Sequence, residues 1–184
     1  MPNAPAPVIR EATAADAAEI VRLGELMYLA VGVEADDVWR ANALRQVSSR
    51  IGRGDLWGWV IDADVEDESG ARLAASALVN WVPRLSPPGQ NADWRPYVQW
   101  VSTDAAYQRR GYARALMIEV IEFCDSRGID VIELHSSPFG RSLYRELGFL
   151  ETPAVDFAPG VLGVPMARRR GTAVASHTVP RLAT

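Results

Sequence analysis

The sequence predicts an α/β sandwich around one mixed sheet, and three observations carry that reading. Apolar runs and helical periodicities follow one another in the order β-α-α-β-β-β-α-β-α-β, without an internal repeat. At 184 residues and 20.1 kDa the chain has the size of one ordinary domain. Its 48% hydrophobic and 23% charged residues suit a folded globule. Such a chain buries roughly 70% of its unfolded surface and needs no disulfide or metal staple.

Val8–Arg10 is a short apolar strand. Thr13 is placed to cap a helix over Ala14–Gly24, and Ile20, Leu23 and, beyond that bound, Met27 recur at helical spacing. Asp16 and Glu19 fall in its first turns, where the helix dipole favours acids. Asp36–Ile51 is the second helix, with Trp39, Leu44 and Val47 toward the core, and Gly52 and Gly54 end it. Leu56–Asp62 and Arg72–Trp81 are strands joined as a hairpin by an acidic linker, Asp62 to Gly70. That linker does not match an EF-hand, so a solvated turn is expected there. Pro83–Pro96 holds four prolines and reads as a loop. Tyr97–Thr103 is a strand, and Arg110–Arg127 a helix with Leu116, Val120 and Phe123 on one face. Asp130–Ser136 is a buried strand. Ser137 or Pro138 opens a helix to Leu147, stopped by Gly148, and Val161–Met166 is a final strand. Residues 1–7 are expected to form a flexible Pro/Ala arm, 8–166 the domain, and 167–184 a loose tail carrying arginines.

All 19 basic residues are arginine, which excludes a lysine Schiff base and a P-loop lysine. The net charge of −4 argues against a polynucleotide partner. The charge is uneven: residues 1–156 carry −8, and the four arginines after Asp156 give the tail +4. Cys124 is the lone cysteine, so neither an intrachain disulfide nor a cysteine-based zinc cluster is available, and no metal is expected. No apolar run reaches membrane-spanning length, and Met1–Pro7 lacks the features of a signal peptide. The expectation is a soluble cytoplasmic protein with no membrane partner.

The stretch from Thr103 to Ala113 carries the chemistry. A strand that passes through a glycine-containing turn into a long helix leaves backbone N–H groups pointing outward at the helix start. With the helix dipole behind them, those donors suit phosphate oxygens. Gly111 lets the backbone approach a ligand closely, and Arg109 and Arg110 can add charge near the same anion. The stretch is neither a Walker loop nor a GxGxxG fingerprint.

The Q-x-x-G-x-A pattern at Gln108–Ala113 resembles the acyl-CoA pyrophosphate loop of the GNAT superfamily of N-acetyltransferases. Gly140–Phe149 (GRSLYRELGF) is similar to that superfamily's second signature, A-x-x-L-Y-x-x-x-G-F. The element order also fits, so the resemblance covers about residues 8–166 and makes them an N-acetyltransferase domain. It implies that the fourth and fifth strands splay into a V for the pantetheine arm of acetyl-CoA. Gln108 opens the loop, and the backbone amides of Arg109, Arg110, Gly111, Tyr112 and Ala113 would cradle the pyrophosphate. Backbone groups of Val101 and Thr103 would bind pantetheine. The Val101 N–H would polarise the thioester carbonyl. Tyr144 falls on the tyrosine that protonates the leaving CoA thiolate in many members.

Two positions depart from the pattern. Where many members carry an asparagine this chain has Ser137, which can still cap and hydrogen-bond beside the cofactor. Where a number of members place a glutamate base it has Tyr97, a residue that some members use to hold a proton-relaying water. Glu34, Asp36, Asp37, Asp93 and His135 are the other candidates, and bulk water may equally take the proton, so the base is left unassigned. Trp57 and Trp59 read as core. Trp94, in the proline-rich loop, suggests an apolar or aromatic acceptor, and Arg84 or Arg95 could meet an acceptor carboxylate. Cys124 reads as buried packing.

The resemblance implies direct transfer of an acetyl group from acetyl-CoA to a primary amine in a ternary complex. Transfer to a protein N-terminus and a non-catalytic acyl-CoA-binding module are the alternatives. A homodimer is an open possibility.

Overall fold

The structure is a computed structural model of the chain that describes residues 7–64, 72–83, 85, 94–153 and 163–174. Along them run β1 (Ile9–Glu11), α1 (Ala17–Ala30), α2 (Asp37–Arg53), β2 (Leu56–Asp62), β3 (Leu73–Pro83) and β4 (Trp94–Thr103). There follow α3 (Tyr112–Ser126), β5 (Val131–Ser136), α4 (Arg141–Glu146), β6 (Leu150–Glu151) and β7 (Val164–Arg169). The described strands form one mixed sheet in the order β1-β2-β3-β4-β5-β7-β6. Neighbours are antiparallel except β4 and β5, which are parallel.

Strand alternation sends the sheet's side chains into two cores. On one face α3 buries Leu116, Met117, Val120, Ile121 and Cys124 against Trp59, Val79, Val98, Ile132, Leu134 and Met166. On the other, Ile20 and Leu23 of α1 and Ala43 and Val47 of α2 meet Leu56, Val60 and Leu78. Each of these fully buried aliphatic side chains contributes about 2 kcal/mol. The termini of α2 follow local chemistry: Asp36 accepts a hydrogen bond from the Trp39 amide at 2.7 Å, and Gly54 ends the helix in the left-handed region at φ 76°. As the aromatic pattern suggested, Trp57 and Trp59 pack around Phe123, with ring centroids 4.9 and 4.7 Å from it. Cys124 is fully buried, and burial pushes its thiol up to about 12.

Several elements differ from expectation, each for a tertiary reason. α1 passes through Gly24 to Ala30 instead of stopping there, because the space beside Gly24 is filled by the Trp100 ring. Leu44 faces solvent at 43% exposure while Ala43 and Val47 take the buried positions. The proline-rich segment is shortened at both ends: β3 continues to Pro83 and β4 starts at Trp94, with Trp81 opposite Pro96. Trp94 therefore belongs to a strand. Residues 137–140 form a turn closed by Gly140 N–H donating to the Ser137 carbonyl at 3.2 Å, so α4 begins at Arg141 and not at Ser137 or Pro138. β6, absent from the expected order, adds two residues beside β7. The last strand runs on from Met166 to Arg169, where the tail was expected to loosen. It does so because Arg168, 3% exposed, pairs with Asp125 of α3 at 3.2 Å and donates to the Thr172 carbonyl at 2.8 Å. Most of the acidic linker lies outside the described residues, as do Arg84 and Asp93. Among the described residues no helix is long and apolar enough to cross a membrane, and no group of three or more His, Cys, Asp and Glu is gathered to hold a metal ion.

Candidate functional site

The parallel strands β4 and β5 are paired only at Tyr97–Glu133 and Val98–Leu134. Beyond those pairs each strand runs on without the other, which opens a V at their C-terminal ends. The cause lies on β4. Between the pairs Leu78–Gln99 and Ser76–Ser102, one residue of β3 (Ala77) faces two of β4 (Trp100 and Val101). This is a β-bulge, and Trp100 holds it with φ 52°, a left-handed conformation that non-glycine residues rarely adopt.

Packing keeps Trp100 there. Its ring lies against Gly24 and edge-on to Tyr28 at 6.3 Å, with Trp39 at 5.7 Å. Two residues further on, the Ser102 hydroxyl donates to the Leu23 carbonyl at 2.8 Å and ties the strand to α1. The bulge sends Trp100 to the α1/α2 face and Val101 to the α3 core. Val101, Thr103 and the start of α3 thus lie along one edge of the V.

The turn between β4 and α3 forms the second part. Asp104 caps the 3-10 turn Ala105–Tyr107, and Arg109 (φ 64°) and Gly111 (φ 82°) both adopt left-handed conformations. The first helical hydrogen bond is Ala115 N–H to the Gly111 carbonyl at 3.0 Å. Among the described residues, none of the five consecutive amides from Arg109 to Ala113 finds an acceptor. Unpaired amides at the N-terminus of a 15-residue helix are donors of the kind that suit an anion. The two arginines differ. Arg110 stacks over the Tyr107 ring at 4.8 Å, pairs with Asp64 at 3.5 Å and donates to the Ala106 carbonyl at 3.2 Å. Arg109 is exposed and has no such partner among the described residues. Gln108 folds back, its amide 3.4 Å from the Thr103 carbonyl.

Tyr144, on α4, is 8% exposed and packs edge-on to Phe149 at 5.9 Å. Burial pushes its hydroxyl up to about 12, so it stays protonated at neutral pH. It shares the α3 core with Val101. Ser137 follows β5 directly, with its carbonyl held by the Ser136 hydroxyl at 2.8 Å and by Gly140.

On the other side of the V, the Tyr97 hydroxyl is 2.9 Å from His135 Nδ1. Burial raises the Tyr97 pKa, helped by Tyr28 and Glu133, and burial lowers that of His135 against the pull of Glu133. The structure therefore joins two residues that the sequence offered as separate candidates. Asp36 is engaged as a helix cap, Asp37 pairs with Arg40 at 2.7 Å, and Glu34 is exposed. Arg95 is ion-paired with Glu133.

Sequence reading did not find the cavity of about 400 Å³ between α1, α2 and the sheet, lined by Tyr28, Trp39, Arg50, Asn80, Gln99 and Trp100 among others. The six tryptophans of the sequence, many for its length, were the available signal, since Trp39 and Trp100 line the cavity.

Residues 90–170 match the family model of the acetyltransferase (GNAT) domain. No curated protein sequence matches the chain. Among solved structures, a predicted acetyltransferase from Clostridium acetobutylicum, determined with acetyl-CoA, superposes with a TM-score of 0.70 at 17% identity, over 82% of this chain and 94% of that one. A GCN5-related N-acetyltransferase from Ralstonia eutropha gives 0.67 at 24% identity, over 82% and 96%. The PaiA N-acetyltransferase from Thermoplasma acidophilum, in complex with coenzyme A, gives 0.63 at 12% identity, over 89% and 99%. These likenesses concern the fold.

Proposed function

We propose that the chain is a GNAT acetyltransferase, as the domain match over residues 90–170 and the shared fold support, and that it transfers an acetyl group from acetyl-CoA directly to a primary amine. The observation that carries the proposal is the coincidence of the β4–β5 splay with the five unpaired amides at the start of α3. The amides Arg109 to Ala113 bind the pyrophosphate, with Arg109 free to add charge. Gln108 braces the loop against Thr103, and Ser137 flanks the arm of the cofactor.

The Val101 N–H donates to the thioester carbonyl oxygen and stabilises the charge that forms there as the amine nitrogen attacks. As the new C–N bond closes and the C–S bond breaks, Tyr144 gives its proton to the departing thiolate. The proton lost by the amine passes to the Tyr97–His135 pair, directly or through a water. A neutral His135 is ready to receive it, because burial holds its pKa below the ordinary imidazole value.

Two measurements test this. Release of free CoA from acetyl-CoA is expected only when a primary amine is added. Acetyl-CoA binding without turnover for any amine would favour an acyl-CoA-binding regulator instead. The second is a pH profile. His135 charges as pH falls through its lowered pKa, so kcat/KM acquires an acid limb at or below the usual imidazole range. His135→Asn removes that limb and leaves the one due to the acceptor's own ammonium. A limb that persists in His135→Asn would assign the proton to another group.

A further inference from the structure

The cavity between α1, α2 and the sheet has a polar wall of one kind. Arg50 lines it, and no Asp or Glu does. The Asn80 side-chain oxygen accepts from Arg50, and the Asn42 oxygen accepts from Arg45 at 2.7 Å. With one lone pair of each oxygen engaged, both amides still have their NH2 groups to offer. Gln46 and Gln99 complete the wall. Arg50 itself uses Nε and Nη2, on Asp55 and Asn80, while Nη1 makes no hydrogen bond among the described residues. Such a wall presents amide and hydroxyl groups and one guanidinium, and among the described residues no carboxylate to balance a cation. The aromatic rings of Tyr28, Trp39 and Trp100 supply an apolar side.

The cavity adjoins the reacting groups. Gln99 and Trp100 precede Val101 in the chain, and Asn80 lies opposite Tyr97 across β3 and β4.

We infer that this cavity holds the carboxylate of the acceptor, so that the acceptor class is an amino-carboxylate: a small molecule with a primary amine at one end, a carboxylate at the other and an apolar body between. The inference rests on the proposed amine acetylation and names the acceptor for the same site. The role once open to Arg84 or Arg95 falls to Arg50, since Arg95 is taken by Glu133. Arg50 and its amide neighbours are specificity-determining groups. They touch the far end of the acceptor and take no part in the proton transfers.

The test pairs acids with their esters. L-phenylalanine, 4-(aminomethyl)benzoate and 6-aminohexanoate, each beside its methyl ester, are offered with acetyl-CoA to the full chain. At least one acid is expected to show a KM about tenfold or more below that of its ester, the usual weight of a charge-assisted hydrogen bond. Arg50→Gln raises the KM of that acid by a similar factor, so that the acid loses its advantage over the ester. Because Arg50 also braces Asp55, Gln46→Glu serves as a second variant. Gln46 is exposed, so the change is tolerated by the fold, and the added charge repels the acid but not the ester. Equal KM values for every acid and ester would overturn the inference while leaving amine acetylation standing. If no amine turns over, calorimetric titration of the same pairs into the protein decides. Acid-selective binding lost in Gln46→Glu supports the cavity assignment although the acetylation reading fails, and absent or unselective binding overturns it.

Discussion

Tyr144→Phe is expected to lower kcat about 100-fold, the low end of what a positioned general acid provides, with the KM for acetyl-CoA little changed. The variant keeps the ring, its edge-on contact with Phe149 and its place beside α3. It removes only a hydroxyl that makes no hydrogen bond among the described residues, on a side chain that is otherwise packed in the core. Losing such a group is neutral or stabilising for the fold, so the melting temperature holds or rises while turnover falls. That opposition separates a proton donor from a packing residue. A variant with unchanged kcat would leave the thiolate to bulk solvent and Tyr144 to the core.

Gly24→Ala is the second large effect, and its sign is the informative part. Helix propensity alone favours alanine by about 1 kcal/mol at this mid-helix position. An added Cβ, however, would lie 2.8 Å from Trp100 Cε3 and 3.0 Å from Cζ3. The ring has little freedom to retreat, held by Tyr28, Trp39 and its own left-handed backbone. Overpacking of this kind costs about 1–3 kcal/mol, so the net result is a lower melting temperature. Displacing Trp100 also moves the bulge that carries Val101, the proposed donor to the thioester carbonyl. A shift of about 1 Å at that donor is enough to cost on the order of 100-fold in kcat. A Gly24→Ala protein that is more stable and fully active would show that the bulge is held by something other than this contact.

These two residues also mark where the sequence was legible. Tyr144 sits in a motif whose spacing shows in the primary structure, as do the loop at Gln108–Ala113, α3 and the strands from Leu56 to Trp81. Their patterns arise from neighbours in the chain, which periodicity records. Gly24 gave the opposite lesson. Read locally, a glycine after Leu23 ends a helix, and α1 was expected to stop there. In the fold, a ring from β4, 76 positions away, fills the missing side chain's space, and the helix continues to Ala30. A glycine inside an otherwise helical pattern was the available hint of a close neighbour. Nothing local marks Trp100 as the left-handed residue of a bulge, and nothing in the spacing of Tyr97 and His135 reveals their hydrogen bond. Arg168 shows the same limit, because a basic residue in an Arg/Thr-rich stretch looks solvated until α3 brings Asp125 to it.

The narrow join between β4 and β5 has a consequence for the autonomy of the parts. Two backbone pairs, with Tyr97–His135 and Arg95–Glu133 beside them, tie the sheet's halves edge to edge, so the broader clasp is α3, whose buried side chains meet Trp59 and Val79 from one half and Ile132, Leu134 and Met166 from the other. A fragment cut to residues 90–170 would keep α3 and the turn that precedes it, yet lose β1, β2 and β3. Half of the helix's apolar stripe would then face water. The segment that carries the family's motifs is therefore not a self-sufficient folding unit, and both halves of the sheet must be present for the V to exist between them.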